Sequence, residues 1–431
     1  MTGRLGLLVG LFYAILLVGL LFVQGEVLVL GIPLLVLIGY ALWSEPGPLR
    51  LQFERHVDSD YVALNRPVNI HVSISNQGDT VEEVLVYEKI DPALELVKGN
   101  PAGLGTLLPA ETMMLHYVLR GPRGRFEFSD VHTLATDSFG LFRRSATFAS
   151  QGHFSVLPDI WKLHTIPIRP PNLHGFAGTI PARLGGAGTD FLEVRGYQPG
   201  DPRRKINWRV SARHSESLFT NEFEQERVTD VGLILDARLL TDVQTPHGSL
   251  FEYSVRATAS LADSFLADGH RVGLLIYGRA LERTFPGYGK IQRNRILRAL
   301  ADAAAEESSV FRGLEYLPAR FFPARSQLIL VSPLCSDDQK VLMRLRAAGY
   351  HLLVVSPDGI EFANQAYQRN TPEGYAVRIA HVERKLILQR LERAGVQVVD
   401  WQVDKSLDSV LRVAAARLSR AQMMQGREVN L

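Results

Sequence analysis

The sequence predicts a membrane-anchored chain of several domains: a transmembrane helical hairpin, a β-sandwich, and a doubly wound α/β domain. Three patterns indicate this fold class. Residues 1–46 contain two long apolar runs, residues 51–157 alternate between polar and apolar positions, and residues 228–420 alternate between apolar strands and helical segments. With 431 residues, the chain is long enough for two or three separate cores.

The N-terminal segment predicts two transmembrane helices, at about 5–23 and 27–43. Neither run contains a charged residue, and each is long enough as a helix to cross a hydrocarbon core of about 30 Å. A signal peptide fits poorly, because the first run is too long and a second follows at once. Arg4 before the first run, and Arg50 and Arg55 after the second, predict a multi-pass protein of the cell membrane with the bulk of its chain in the cytoplasm.

The composition is compatible with a cytoplasmic location. The chain has 47 Lys and Arg against 45 Asp and Glu, a formal net charge of +2, so any strongly basic stretch is a local feature. Cys335 is the only cysteine, which excludes an intrachain disulfide, and no Asn-x-Ser/Thr glycosylation site occurs.

Residues 51–157 predict an antiparallel β-sandwich. In VNIHVSISN, the apolar residues Val68, Ile70, Val72 and Ile74 fall on one face of a strand. Similar alternation recurs in EEVLVYEKI and MMLHYVLRG, with turn residues between them. Short strands at this spacing are typical of a sandwich.

Residues 158–227 predict a connector, which begins with a stretch rich in Pro, Gly and His. Its segment LGGAGTD, Leu184–Asp190, has glycines like those of a phosphate-binding loop. No Gly-Lys-Ser/Thr ending follows and no clear strand precedes it, so the glycines predict a flexible stretch or a tight turn.

Residues 228–420 predict a parallel sheet with helices on both faces, because apolar strands alternate with helical segments. The strands are VGLILD, RVGLLIYG, QLILVSPL, YHLLVVSP and VQVVDW. The helices are expected at about 249–267, 290–306, 336–348 and 382–394, with an amphipathic helix at the end. Binding sites in such sheets lie beyond the carboxyl ends of the strands.

Asp236 ends the first of these strands, in LILDARLL. A domain that opens with a strand ending in Asp resembles the von Willebrand factor A domain, whose metal-binding version holds Mg²⁺ with an Asp-x-Ser-x-Ser motif. Here Arg238 and Leu240 replace the two serines, and Pro333 stands where that version has a further Asp. We therefore expect a degenerate site without metal, in which Asp236 and Arg238 form an internal ion pair.

Other chemistry-bearing residues do not form a recognisable catalytic pattern. Asp337 and Asp338 reach the carboxyl edge only if their loop folds back. The histidines lack zinc-binding spacing, and no G-x-S-x-G motif is present. Cys335 predicts a partly buried thiol rather than a nucleophile. The sequence thus predicts a protein that is not an enzyme and has no cofactor.

The stretch RGYQPGDPRRKINWRVSARH, residues 195–214, interleaves basic and aromatic side chains. Stacking of bases on Tyr197 and Trp208 would suit nucleic-acid binding. Nucleic acid is not predicted as a partner, because acidic residues follow at once: Glu216, Glu222, Glu224 and Glu226. Two interpretations remain. In the first, Asp201 caps one amphipathic helix over residues 202–214, whose arginines pair with these glutamates; in the second, a basic face meets an acidic partner.

This stretch, with the strand that it precedes, resembles the signature of the domain of unknown function 58 family. The match rests on residue types in one register: Arg195, Tyr197, Pro199, Gly200, Asp201, Arg204, Ile206, Trp208, Ser211, Ala212 and Arg213. An upstream segment resembles the part of the family that precedes the signature, through Asp137, Phe139, Gly140, Leu141 and Phe142.

The resemblance implies a bacterial or archaeal membrane protein with a von Willebrand A-like domain, often encoded beside MoxR-type AAA+ ATPases and transglutaminase-like membrane proteins. It implies a scaffold that works with the ATPase in assembling or maturing other proteins. We expect the contact region to comprise the face around Arg195–Arg213 and the carboxyl edge of the sheet near Asp236. Two rivals are a hydrolase that uses Asp236 with Asp201 or His214, and an adhesin that faces outward.

Overall fold

The computed structural model describes residues 3–22, 25–43, 47–137, 139–164, 166, 180–214, 217–227, 229–246, 248–308, 310–323, 326–364 and 372–416. The chain divides into two compact units, Met1–Leu157 and Pro158–Leu431. Each unit has its own core.

The first unit begins with apolar helices: α1 (Gly3–Leu21), α2 (Gly25–Val29) and α3 (Gly31–Trp43). Among the described residues, α1 alone is long and apolar enough to cross a membrane. The second predicted span, 27–43, corresponds to α2 and α3, which are separated by a turn at Leu30. Pro33 accounts for the break, because it has no N–H to donate to the carbonyl of Val29 and is tolerated only in the first turn of a helix.

In the described part of the first unit, nine strands follow and form two sheets, as the alternation predicts. They are β1 (Leu51–Val57), β2 (Tyr61–Val62), β3 (Val68–Asn76), β4 (Val81–Glu88), β5 (Glu95–Gly99), β6 (Ala102–Leu107), β7 (Thr112–Arg120), β8 (Gly124–Thr136) and β9 (Arg143–Val156). One sheet has the order β1-β3-β7-β5 and the other β2-β9-β8-β4-β6. Every pair is antiparallel except β2 with β9.

The two sheets pack face to face in a sandwich-like arrangement. The predicted apolar face of β3 is fully buried, and its Ile70 and Val72 share one core with Val84 and Val86 of the other sheet. Burial of one face per sheet is what fixes the register, because a slip by one residue would expose that face.

Arg55 is part of this core and does not lie free beside the membrane segment. Its guanidinium is bonded to the carboxylate of Glu88 and to the carbonyl of Ser150, and it stacks on Phe128 with 4.6 Å between Cζ and the ring centroid. Glu88 also accepts a hydrogen bond from the Tyr117 hydroxyl. The use of Arg55 as a flanking charge for membrane orientation is therefore wrong, and Arg4 and Arg50 remain as flanking charges.

The upstream family segment packs against the N-terminal helices. Asp137 is buried and accepts a hydrogen bond from the Phe142 amide, with 2.6 Å between Oδ1 and N. This bond closes a turn that buries Leu141 and Phe142 against Leu5 of α1, with Leu37 of α3 alongside. Residue 138 lies outside the described residues. The segment thus joins the apolar helices to the sandwich.

The second unit begins with a two-stranded ribbon, β10 (Ile180–Gly196) and β11 (Phe219–Arg227), which holds the short helix α4 (Trp208–Ser211) between its strands. The glycines of residues 184–190 lie within the bounds of β10. The pairing shifts register between Gly186 and Phe191, both of which lie opposite Phe223. Glycine suits such an irregular stretch, because it accepts backbone angles that a bulge requires.

The rest of the unit alternates strands with helices. Its elements are β12 (Asp230–Asp236), β13 (Gln244–Thr245), β14 (Gly248–Ser249), α5 (Leu250–Ala267), β15 (Arg271–Tyr277), β16 (Leu281–Gly287), α6 (Gly289–Asp302), β17 (Gln327–Val331), α7 (Asp338–Ala347), β18 (His351–Pro357), α8 (Gly359–Asn364), α9 (Pro372–Arg393) and β19 (Gln397–Trp401). Residues 407–416 are helical as well.

The main sheet has the order β16-β15-β12-β17-β18-β19. Its five predicted strands are parallel, and β16 adds an antiparallel edge. The parallel strands follow the 2-1-3-4-5 order of a doubly wound sheet, whose switch point lies between β12 and β17. Helices α7 and α9 contribute Leu342 and Leu391 to the core on one face of the sheet. The carboxyl ends of β12 and β17 are therefore where a site is expected.

Candidate functional site

The carboxyl ends of β12 and β17 enclose a buried arginine between two carboxylates. Arg238 binds Asp236 through Nε to Oδ1 at 2.8 Å and Nη2 to Oδ2 at 2.7 Å. The same guanidinium binds Asp338 through Nη1 to Oδ1 at 3.0 Å and Nη2 to Oδ2 at 2.7 Å. The three residues are between 1% and 2% exposed. The predicted ion pair of Asp236 with Arg238 is present, and Asp338 completes it from the N-terminus of α7.

The surroundings of this centre offset its net charge. Two carboxylates and one guanidinium leave one negative charge, which hydrogen-bond donors stabilise. The Ser332 hydroxyl donates to Asp236 Oδ2 at 2.6 Å, and the Cys335 amide donates to Asp338 Oδ2 at 2.8 Å. Burial opposes the charge on Arg238, but its bonds to both carboxylates outweigh burial and raise its pKa. Arg238 is therefore permanently charged.

The loop after β17 has an unusual backbone at Leu334, whose φ is 67°. This left-handed conformation is rare for a leucine. The Ser332 hydroxyl oxygen accepts a hydrogen bond from the Leu334 amide at 3.0 Å and so holds the turn. The turn aims the Cys335 amide at Asp338, so the strained residue serves the buried centre.

The centre is built for an ion pair rather than for a metal. Arg238 occupies the space between Asp236 and Asp338 that a cation would need. Leu240, at the second serine position of the metal-binding motif, has no oxygen ligand to offer and is 54% exposed to solvent. Across the described ranges, no cluster of three or more His, Cys, Asp or Glu residues is placed to hold a metal ion. The neighbouring thiol is not poised for attack, because burial and the charge of Asp338 raise the pKa of Cys335 to about 11.

A groove opens beside this centre, with a volume of about 660 Å³. Leu240 and Leu334 lie on one side, and Ala380 and Ile387 of α9 on the other. The lining is mostly apolar, so the groove suits an apolar partner better than a charged ligand.

The signature segment is folded onto the ribbon by its own polar residues. Arg195 at the end of β10 binds Asp201 with two parallel bonds of 2.9 Å, and its Nε lies 3.3 Å from Glu222 Oε2. Asp201 also accepts a bond from the Gln198 amide at 2.9 Å. The bonds from Arg195 and Gln198 hold the pKa of Asp201 below its ordinary value. Gly200, with φ of 112°, allows the tight turn between Gln198 and Asp201.

The expected single helix over residues 202–214 is wrong. A 3₁₀ turn covers Arg203–Lys205, the chain is then extended at Ile206, and α4 follows. Asn207 causes the restart, because its side chain accepts a bond from the Val210 amide at 3.0 Å, as helix caps do. Ile206 instead forms a β-bridge with Thr220 and is buried.

The other signature residues divide into supporting and exposed ones. The Ser211 hydroxyl accepts a bond from the Phe219 amide at 2.8 Å, which ties α4 to β11. Tyr197 is half-buried, and Pro199 and Ala212 are exposed. Glu222 is the predicted acidic neighbour that pairs with the segment. Glu216, and the side chains of Glu224 and Glu226, lie outside what the structure describes.

Five exposed side chains of this segment form what we term the basic patch: Arg203, Arg204, Trp208, Arg209 and Arg213. Trp208 is 66% exposed, which is unusual for so large an apolar ring. No residue in the described ranges pairs with the four guanidinium groups. Exposed side chains contribute little to folding, and Trp and Arg are the types enriched at binding hot spots.

Sequence reasoning did not identify Ser332 or Asn207 as parts of these arrangements. Asn207 precedes a short helix and had a detectable signal as a cap. Ser332 had none, because its partner Asp236 is distant in sequence. The structure also gives no support for joint chemistry of Asp236 with Asp201 or His214. The partners described for Asp236 are Arg238 and Ser332, and those for Asp201 are Arg195 and the Gln198 amide.

The family model described as "Protein of unknown function DUF58" matches residues 193–365. "Uncharacterized protein YeaD" of Bacillus subtilis (strain 168) is 31% identical over 169 residues, 39% of this chain and 40% of that protein. "Uncharacterized protein Rv1480" of Mycobacterium tuberculosis is 30% identical over 131 residues, 30% of this chain and 40% of that protein. The matched regions thus span about two fifths of the length of these relatives.

Structural likenesses are limited to low overall scores. A FixG-related protein from Vibrio parahaemolyticus shares 14% identity with a TM-score of 0.17, over 25% of this chain and 95% of that one. The CARDB domain of the PF1109 protein from Pyrococcus furiosus shares 17% identity with a TM-score of 0.17, over 25% of this chain and 89% of that one. Scores this low support no functional inference.

Proposed function

Because the chain belongs to the DUF58 family through residues 193–365, we propose that it is a membrane-anchored scaffold without enzymatic activity. It works with a MoxR-type AAA+ ATPase in the assembly or maturation of other proteins. Its α/β domain is a von Willebrand A-like domain that binds its partner through protein contacts rather than through a metal ion.

The basic patch is the observation that carries this proposal. It combines an exposed tryptophan with four arginines that no described residue neutralises. The patch stands on a rigid support, since the Arg195–Asp201 pair and the Asn207 cap fix the backbone beneath it. A surface of this kind fits an acidic face on the ATPase, with Trp208 as the apolar anchor and the arginines as charge partners.

The chemistry of the carboxyl edge supports a binding role rather than catalysis. The carboxylates of Asp236 and Asp338 are both bonded to Arg238, and the nearby Cys335 thiol has a raised pKa. A general base needs access to the proton that it takes, and a cysteine nucleophile needs to be a thiolate. Asp236 and Asp338 are buried against Arg238, and the Cys335 thiol stays protonated at neutral pH.

The proposed location is the cell membrane. In this proposal α1 spans the bilayer, α2 and α3 form the return leg of a hairpin, and both termini lie in the cytoplasm. Support comes from the apolar character of α1 and from Arg4 and Arg50, which flank the apolar segment. Protease treatment of intact cells tests this orientation, since an outward-facing domain would be cut.

The proposal is tested by binding of the full chain, in detergent micelles, to the MoxR-type ATPase of the same organism with and without ATP. We expect W208A to weaken binding by about thirtyfold or more, the effect of a loss of about 2 kcal/mol at a hot spot. R66E, which reverses an exposed arginine in the first unit, is the matched control and should bind normally. Absence of ATPase binding to the unaltered chain, in either nucleotide condition, would contradict the proposal.

A further inference from the structure

Helix α9 carries apolar residues on more of its surface than its own domain covers. Leu388 and Leu391 are buried, and Leu391 belongs to the core beneath the sheet. A surface helix needs one apolar face for such packing, and the remainder is ordinarily polar. The remaining surface of α9 departs from this rule, because it carries exposed apolar side chains.

A second apolar line runs along the exposed side of α9. It consists of Tyr375, Ile379, Val382 and Leu386, which are 56%, 62%, 60% and 45% exposed. The intervals of four, three and four residues place these side chains in one row. A row of this width is the a/d seam of a two-helix pair, narrower than the broad apolar face of a helix that lies in a bilayer. We term it the exposed seam.

The groove described above lies on a neighbouring face of α9. Ala376, Ala380 and Ile387, which line it, are each one residue further along than a member of the seam, and so they lie about 100° around the helix from it. The exposed seam and the groove are therefore separate surfaces of α9.

The charges beside the exposed seam select the partner. Arg378 and Lys385 flank one side, both exposed, and the Arg378 guanidinium lies 6.0 Å from the ring of Tyr375. The other side has Glu383 and Arg390, which are exposed and of opposite sign. In an antiparallel pair of two copies of α9 centred on the seam, Arg378 of each copy meets Lys385 of the other. Like charges at these positions disfavour self-association and favour an acidic flank.

We propose that α9 is a docking site for an amphipathic helix of a partner protein. That helix has apolar residues at heptad spacing and Asp or Glu on the flank that meets Arg378 and Lys385. The site is separate from the basic patch, so it goes beyond the proposed function and does not depend on it.

The test uses two synthetic helical peptides of three heptads with Leu at a and d, one with Glu and one with Lys at e and g. Each peptide carries like charges that oppose its self-association. The protein is the full chain in detergent micelles with C335S and Q389C, labelled with an environment-sensitive fluorophore at residue 389. This exposed position continues the seam by one heptad. We expect a saturable blue shift with the Glu peptide and at least about tenfold weaker binding of the Lys peptide, or about 1.4 kcal/mol.

Two variants separate docking from a nonspecific effect. I379S/V382S removes the centre of the seam and should abolish the shift, and R378E/K385E should reverse the preference in favour of the Lys peptide. W208A is the control and should leave peptide binding unchanged. Circular dichroism verifies that each variant folds, as expected for substitutions of exposed side chains. If I379S/V382S fails to fold, R378E/K385E still provides an independent result.

Equal affinity for both peptides, or no shift with either, would overturn the proposal. The labelled protein is also incorporated into nanodiscs of phosphatidylcholine and phosphatidylserine. A blue shift on incorporation that the Glu peptide does not change would overturn the proposal, because a bilayer would then cover the seam. A concentration-dependent dimer that I379S/V382S dissociates would overturn it as well, in favour of a second copy of the chain.

Discussion

Two sets of arginines in the second unit have opposite surroundings. Arg238 is 2% exposed and is bonded to two carboxylates and the Arg312 carbonyl, whereas Arg203, Arg204 and Arg209 are exposed with no partner in the described ranges. A buried guanidinium must be neutralised within the fold, and removal of a partner is costly. Exposed guanidinium groups stay hydrated and available for binding. The same residue type therefore serves the fold at one site and, in our proposal, recognition at the other.

The largest effect is expected at the buried centre. D338A removes two acceptors of the Arg238 guanidinium and the acceptor of the Cys335 amide, which leaves buried donors unpaired, and we expect the free energy of unfolding to fall by about 3 kcal/mol. Denaturant titration of the full chain measures the change. D337A is the matched control, because Asp337 is exposed and adjacent, and it should change stability by less than about 0.5 kcal/mol. Equal effects of the two substitutions would show that the buried pair has no special role.

A smaller effect is expected when the metal-binding motif is restored. R238S/L240S recreates Asp-x-Ser-x-Ser and removes the guanidinium that lies between Asp236 and Asp338. Mg²⁺ at roughly ten to one hundred times its Kd should then stabilise the variant by about 1.4 to 2.7 kcal/mol. The unaltered chain should unfold identically in Mg²⁺ and in EDTA, because Arg238 occupies that space. Stabilisation of the unaltered chain by Mg²⁺ would contradict the assignment of Arg238 as a substitute for the ion.

The smallest effect is expected beneath the basic patch and depends on pH. The bonds to Asp201 hold its pKa below the ordinary value of 3.8. Because the pKa of Asp201 is lower in the folded chain, the stabilisation by these bonds is complete above the pKa that Asp201 has in the unfolded chain. It is lost as pH falls through the pKa that Asp201 has in the folded chain. Hydrogen exchange of the Gln198 amide, which donates to Asp201, should therefore show lower protection below that range. D201N should remove this pH dependence, and an unchanged profile in D201N would contradict the role of Asp201.

The sequence predicted those parts of the fold that depend on local pattern. Strands β12, β15, β17, β18 and β19 were recognisable as continuous apolar runs, since parallel strands are buried on both faces. The ion pair of Asp236 with Arg238 was predictable too, because the two residues are close in the chain and a guanidinium cannot bind a metal.

Features that depend on distant contacts could not be predicted. Asp338 lies one hundred residues from Arg238, and only the fold of the loop after β17 brings them together. Arg55 looked like a surface charge until its partner Glu88, from another strand, placed it in the sandwich core. The prediction of one helix over residues 202–214 is wrong because Asn207 caps a separate helix, α4. The exposed seam of α9 was detectable as a heptad pattern, but exposure is known only once the core is assembled.

The most direct test of the account measures binding and stability on the same variant. R204E/R209E reverses two charges of the basic patch in the full chain, with R66E as the control. Because these side chains are exposed and unpaired within the described ranges, we expect the free energy of unfolding to change by less than about 0.5 kcal/mol. Binding to the MoxR-type ATPase should weaken at least about tenfold. Unchanged binding, or a loss of binding that a matching loss of stability explains, would contradict the claim that these arginines serve recognition.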